Sequence, residues 1–305
     1  MNSTPAYRRP LLATLAAALL LLLFGGRDPA LAETEPNVAP YARGLLWRIE
    51  RAGRPPSYLF GTIHLADPRV TTLPPPVAQA LGESRHFLME LVPDADGLAL
   101  LAESMMFTDQ RTLNEIVGRQ LYGDIEAEFR RRGMPTAMLA KYKPWAVAVI
   151  LSLPATVRGG VPLDMQLQLK AAEQGKTVEG LETAAEQIAV FDDLGLEEQR
   201  ALLEATLREQ QAVEHEVETL VQVYLSRDLL RLRAVAEAYA RGDEALKATV
   251  RERLLVARNV RMVERMQARL EQGGAFIAVG AAHLPGDDGL LALLEKRGYR
   301  VQAVY

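Results

Sequence analysis

Tyr58-Leu59-Phe60-Gly61-Thr62-Ile63-His64 decides how the chain is read, because Ala275-Phe276-Ile277-Ala278-Val279-Gly280-Ala281-Ala282-His283 repeats its design far downstream. Each is an apolar run of strand character, then glycine, two further residues and histidine. A glycine at a strand end lets the chain turn sharply or lets a ligand approach the backbone. The histidine then stands just past the strand. In open α/β sheets that rim is where ligands bind. One such stretch carries little weight, since glycine and histidine recur by chance. Two of them use half of the four histidines in the chain.

Working outward, Leu45–Glu50 is strand-like, Arg51–Pro56 is rich in breakers, and Ser57–Phe60 returns as a second strand. The spacing predicts a hairpin. Pro74-Pro75-Pro76 starts a short helix. His86–Val92 reads as a strand interrupted near its end by Glu90, where an apolar residue would be expected. From Asp94 to Gln174 the pattern is mostly helical. Thr112–Glu115 has capping-box spacing and opens a helical stretch, continuous or broken once, running to Arg132. Trp145–Leu153 is apolar nearly all round and predicts a buried helix. Lys176–Glu179 is a short strand; Glu182 follows it at a strand-to-helix junction marked by a second capping box, Thr183–Glu186. Ala184–Glu271 is almost entirely helical. The sheet resumes at Ala275, and Tyr299–Tyr305 is a final strand. The expected fold is α/β: a sheet built from both ends of the chain, with flanking helices and a long helical insert at about 184–272. Residues 33–305 read as a single domain.

The composition, 49% apolar and 24% charged over 305 residues, permits a substantial core. A net charge of −4 gives no basic footprint for nucleic acid. The absence of cysteine removes disulfides, thiolate catalysis and zinc–thiolate sites together. At the N-terminus, Arg8-Arg9 precedes the apolar run Leu11–Phe24, and Ala30-Leu31-Ala32 follows. These are the parts of a secretory signal peptide covering residues 1–32. The run is shorter than the ~20 residues of a spanning helix. The expectation is cleavage after Ala32 and a soluble protein in the periplasm or outside the cell, with no stable membrane span.

His64 and His283 can reach one rim if their strands share a sheet. Neutral imidazoles suit a divalent metal, and a carboxylate such as Glu90 suits it too. The bland alternative makes each histidine a strand cap. Glu90 is either a metal ligand or general base, or a carboxylate emerging into solvent. Glu182 could serve the site or simply favour a helix dipole, and Asp164 could merely cap its helix. Arg258 could polarise a carbonyl or hold a carboxylate, against a default surface role. His86 and His215 read as structural or solvated, and Trp145 as core.

Gly61-Thr62-Ile63-His64, Glu90, Lys143-Pro144-Trp145, Gly175-Lys176, Gly180-Leu181-Glu182-Thr183, Arg258-Asn259 and Gly280-Ala281-Ala282-His283-Leu284 with Gly289-Leu290 together resemble the TraB/PrgY/GumN family, which includes the animal Tiki proteases. The resemblance covers most of the chain beyond residue 32. It implies an α/β fold with a helical insert and a metal-dependent hydrolase. It carries the metal and active-site roles onto His64, His283 and Glu90, with Arg258 beside them. The resulting expectation is an exported hydrolase, foremost a peptidase, acting on a peptide or small ester. A divalent ion (Mn, Co or Zn) would be held by His64, His283 and Glu90, with Glu90, Glu182 and Arg258 as catalytic groups. The alternatives are an ester hydrolase that uses His64 as a base without metal, and a non-catalytic exported protein that binds peptides.

Overall fold

The computed structural model describes residues 41–153, 160–210, 212–238, 240 and 242–305. The stretch read as a signal peptide lies outside them. Among the described residues one sheet has six strands: β1 (Leu46–Glu50), β2 (Ser57–Thr62), β3 (His86–Met89), β4 (Thr177–Gly180), β5 (Ala275–Gly280) and β6 (Arg300–Ala303). Their order is β4-β3-β5-β2-β1-β6. β1 and β2 form the expected antiparallel hairpin, and β6 pairs antiparallel with β1. β2, β5, β3 and β4 run parallel. The fold is α/β, and early and late segments of the chain share its sheet.

The strand order follows from residue character. Every residue of β5 is buried, as an inner parallel strand covered on both faces requires. β4 and β6 carry Thr177, Glu179, Arg300 and Gln302 and lie at the edges, where one side of the ladder meets solvent. β5 seats Phe276 between Phe60 of β2 and Phe87 of β3, with ring centroids 6.0 and 6.1 Å away.

Helices α1 (Pro68–Thr71) and α2 (Pro75–Glu83) link β2 to β3. Between β3 and β4 come α3 (Ala95–Ser104), α4 (Leu113–Val117), α5 (Arg119–Arg131), α6 (Pro144–Ser152) and α7 (Leu163–Glu173). Between β4 and β5 come α8 (Ala184–Asp192), α9 (Leu196–Arg208), α10 (Val213–Ser226), α11 (Leu229–Ala238), α12 (Glu244–Arg251) and α13 (Ala257–Gln272). A π-helical turn, Glu252–Val256, joins the last two, and α14 (Leu290–Lys296) leads into β6. The helix expected over 112–132 breaks at Gly118, whose φ of 82° ends α4 before α5 begins.

The chain thus makes two long helical excursions from the sheet. The two excursions meet in a second core made by α3–α6 with α8, α9 and α12. Here Trp145 stacks on Phe191 at 6.2 Å, and both rings are fully buried. Trp145 Nε1 and Lys143 Nζ donate to the Asp192 carboxylate at 2.8 and 2.6 Å. Lys143-Pro144-Trp145 is therefore a joint between α6 and α8. Truncating Phe191 to Ala is expected to lower stability by about 3–5 kcal/mol in chemical denaturation, from lost burial plus the cavity left behind.

The capping box at Thr183 also ties α8 to α13. The Thr183 N–H donates to Glu186 Oε2 at 2.9 Å, and Arg265 of α13 donates to both Glu186 oxygens at 2.7 Å. The Arg265 bonds, with those from Thr183, hold the Glu186 carboxyl at about 2, against an ordinary 4.5. Between those values the unfolded chain binds the proton and the folded chain does not. Stability from this group is therefore present above about pH 4.5 and lost as the pH falls toward 2. Glu186→Gln is expected to lower the melting temperature at pH 7 and to flatten its decline between pH 5 and 3.

Candidate functional site

The parallel strands end level with one another. Thr62 pairs with Gly280, and Met89 pairs with both Ala278 and Gly180. Their carboxyl ends therefore deliver His64, His283, Glu90 and Glu182 to one rim. Pairing continues past β3 and β4: the Leu181 N–H donates to Met89 O at 2.8 Å and the Glu182 N–H to Glu90 O at 2.7 Å. This sets the two glutamates side by side.

Each imidazole is held by its Nδ1. His64 Nδ1 lies 2.8 Å from Asp164 Oδ2, and the other Asp164 oxygen accepts from the Thr62 hydroxyl. His283 Nδ1 lies 2.6 Å from Asn259 Oδ1. Asn259 Nδ2 donates to Asp288 O at 2.8 Å, which fixes the amide's orientation. Nδ1 is then the donor on both rings, and both Nε2 atoms face inward with lone pairs. They lie 3.9 and 3.8 Å from the same atom, Glu90 Oε1. The rings differ electrically. Burial draws His283 down to about 3, and the Arg258 charge adds to this against the pull of Glu90. Burial also opposes a charge on His64, but the Asp164 and Glu90 carboxylates outweigh it and raise its pKa.

The two motif glycines do different work. A Cβ on Gly61 would lie 2.7 Å from Leu284 Cδ1, so this glycine lets the turn after β5 pack on β2. A Cβ on Gly280 would lie 3.3 Å from both Glu90 Oε1 and His64 Nε2, in the space these groups surround. Neither glycine has a left-handed φ; both are there for close approach.

Below this space lies a buried charge cluster. Glu90 Oε1 accepts the Gly280 N–H at 2.6 Å, and Glu90 Oε2 accepts from Arg258 Nη2 at 2.6 Å. Arg258 also donates Nη2 and Nε to Glu182 Oε2 at 2.6 and 2.9 Å, and Gln187 donates to Glu182 at 3.2 Å. All three charged side chains are at most 5% exposed. Burial alone would raise the Glu90 carboxyl; Arg258, the two imidazoles and the Gly280 N–H overcome it and hold it at about 2.

Two inward imidazole nitrogens and a carboxylate oxygen around a space that only glycine leaves open form a donor set suited to a divalent ion. Each ring carries the outer hydrogen bond typical of a metal-bound histidine. Among the described residues no group of three or more His, Cys, Asp or Glu side chains is gathered closely enough to hold a metal ion as it stands.

The structure brings His64, His283, Glu90, Glu182 and Arg258 to one place and leaves His86 at the start of β3, away from the rim. Three bland alternatives do not hold. Arg258 is 1% exposed, not on the surface. Glu182 precedes the cap residue of α8 and gives its carboxylate to Arg258. Asp164 sits in the first turn of α7 yet spends both oxygens on Thr62 and His64. Asp164 was the missed member; a carboxylate in an otherwise apolar first turn is the signal it left.

The TraB/PrgY/gumN family model matches residues 45–303. Metalloprotease TIKI2 of Xenopus tropicalis is 26% identical over 84% of this chain and 59% of its own length. Metalloprotease TIKI1 of Homo sapiens is 26% identical over 84% and 61%, and the Metalloprotease TIKI homolog of Nematostella vectensis is 23% identical over 85% and 66%. The chain spans about three fifths of the first two relatives' length. No solved structure matches it. With a match running from β1 to β6, the chain belongs to the TraB/PrgY/gumN family.

Proposed function

We propose that the protein is an exported metal-dependent hydrolase of peptides, with the rim over Gly280 as its active site. The observation that carries this reading is the pair of inward Nε2 atoms of His64 and His283, both about 3.8–3.9 Å from Glu90 Oε1. The names of the relatives, all metalloproteases, support it. His64, His283 and Glu90 would hold the ion. A bound divalent ion lowers the pKa of water toward 7 and polarises a carbonyl.

The chain's own groups do the rest. Asp164 and Asn259 keep the two rings turned inward. Arg258 sits beside Glu90, where a fixed cation offsets the carboxylate and stabilises negative charge developing on a substrate oxygen. Glu182 holds that guanidinium in place. A carboxylate held near 2 is a weak proton acceptor at neutral pH, so Glu90 fits the part of a ligand better than that of a base.

That same His64–Asp164 pair supports the second reading, a metal-independent ester hydrolase, because a carboxylate on Nδ1 orients an imidazole for base catalysis. Chelation separates the two. On the first reading, a chelator abolishes hydrolysis of a peptide library and added divalent metal restores it; on the second, ester hydrolysis survives. His64→Ala and His283→Ala are expected to lose bound metal, measured by mass spectrometry, together with activity. His86→Ala and His215→Ala should keep both. Asp164→Asn should weaken metal affinity about 10–100-fold. Full metal content and activity in His64→Ala and His283→Ala would make the two histidines strand caps.

Export rests on Arg8-Arg9, Leu11–Phe24 and Ala30-Leu31-Ala32. Among the described residues no helix is long and apolar enough to cross a membrane. The intact mass of protein recovered from the exporting cell should correspond to a chain beginning at Glu33; an uncut N-terminus in the membrane fraction would refute this.

A further inference from the structure

The space beside the two imidazoles is not polar throughout. A cavity of about 60 Å³ has His64, His283, Gly280 and Arg258 at one end. Apart from Thr62 the rest of its wall is aliphatic, with Leu220, Leu232, Ala236, Leu254 and Leu255 among its lining residues. These come from α10, α11 and the π-helical turn. Leu232 and Ala236 are one helical turn apart and so share a face of α11. The π turn sets Leu254 and Leu255 four and three residues before Arg258, and Arg258 Nη1 donates to Leu254 O at 3.2 Å. The wall is thereby bonded directly to the charged cluster.

We infer that this cavity is a subsite that selects a small aliphatic side chain, alanine to valine in size, next to the bond the enzyme cleaves. The inference rests on the hydrolytic reading of the site and names its substrate preference. A group placed there touches only hydrocarbon on the helical side, while its backbone carbonyl stands at the His64, His283 and Arg258 end. The size limit follows from volume. An apolar cavity of about 150 Å³ takes a benzene ring. At 60 Å³ this one takes two or three carbon atoms. A benzyl side chain does not fit, and a polar or charged one gains nothing from the wall. Pockets of this kind discriminate a missing or extra methylene by about 10–200-fold.

The test is a peptide library scanned at positions on both sides of the cleaved bond, read as kcat/KM. One position should favour Ala and Val over Phe by more than tenfold. Leu232→Ala, which enlarges the cavity, should reduce that ratio at least tenfold, with metal content and the melting transition retained. Ala236→Val, which fills it, should lower cleavage at Val relative to Ala. A second arm needs no turnover: N-acetyl-valine amide and N-acetyl-phenylalanine amide are titrated into the whole protein while leucine methyl resonances are followed by NMR. The valine compound should shift the Leu220, Leu232 and Leu254 methyls at concentrations where the phenylalanine compound does not. Hydrolysis with no size preference at any position, or a ratio unmoved in folded, metal-loaded Leu232→Ala, overturns the subsite and leaves the hydrolase standing. If the protein hydrolyses nothing, the hydrolase reading falls and the titration alone decides. Equal shifts with both amides, or none, overturn the subsite.

Discussion

The bonds from Arg258 to Glu90 and Glu182 are the constraint on which the rest depends. Continued pairing of β3 and β4 forces the two glutamates together at the rim, where neither is exposed. Two adjacent buried carboxylates cannot both stay ionised without a cation between them. The cation comes from α13, after the long helical excursion, and it is itself buried. Removing one partner of such a cluster typically costs 3–5 kcal/mol, because an uncompensated charge is left inside. The sheet and the helical layer are thereby locked in one relative position. That position brings Asn259, the next residue, onto His283.

The two imidazoles look alike in sequence and are unlike in the fold. A carboxylate grips His64 and an amide grips His283, so one ring is tuned toward the cationic form and the other held neutral. The amide has its own support. Arg233 donates to both Asp288 oxygens and to Pro285 O, and Arg251 donates to Asp288 as well. This clamp fixes the loop whose Asp288 carbonyl orients Asn259. The orientation of His283 thus depends on charges three bonds removed from it.

The sheet and the rim were legible because strand ends leave local marks. Gly61, Gly280, His64 and His283 carry the pattern themselves, and Glu90 stands out against an apolar run. What could not be read was pairing at a distance. Asp164 looks like a helix cap because its partner His64 is 100 residues away. Arg258 looks like one more surface arginine beside Arg261, Arg265 and Arg269, since the burial of one side of α13 depends on where β3 and β4 end. Where the helix over 112–132 breaks was hidden for the opposite reason: helical periodicity runs through Gly118, and only its positive φ interrupts the helix.

β5 lies between β2 and β3, yet Ala275 and its sheet neighbour Ser57 are 218 residues apart in the chain. During synthesis the two flanking strands emerge long before the strand that joins them. Until it arrives there is no Phe276 to bridge Phe60 and Phe87, no Gly280 N–H for Glu90, and no second imidazole. The hairpin and β3 must wait with their apolar edges unpaired, which predisposes the chain to slow folding and to assistance on the way. The same order of assembly acts as a safeguard. On the proposed hydrolytic reading, half of the active site lies at a point in the sequence that is made only after nearly all of the fold, so a partly made copy would be an inert one.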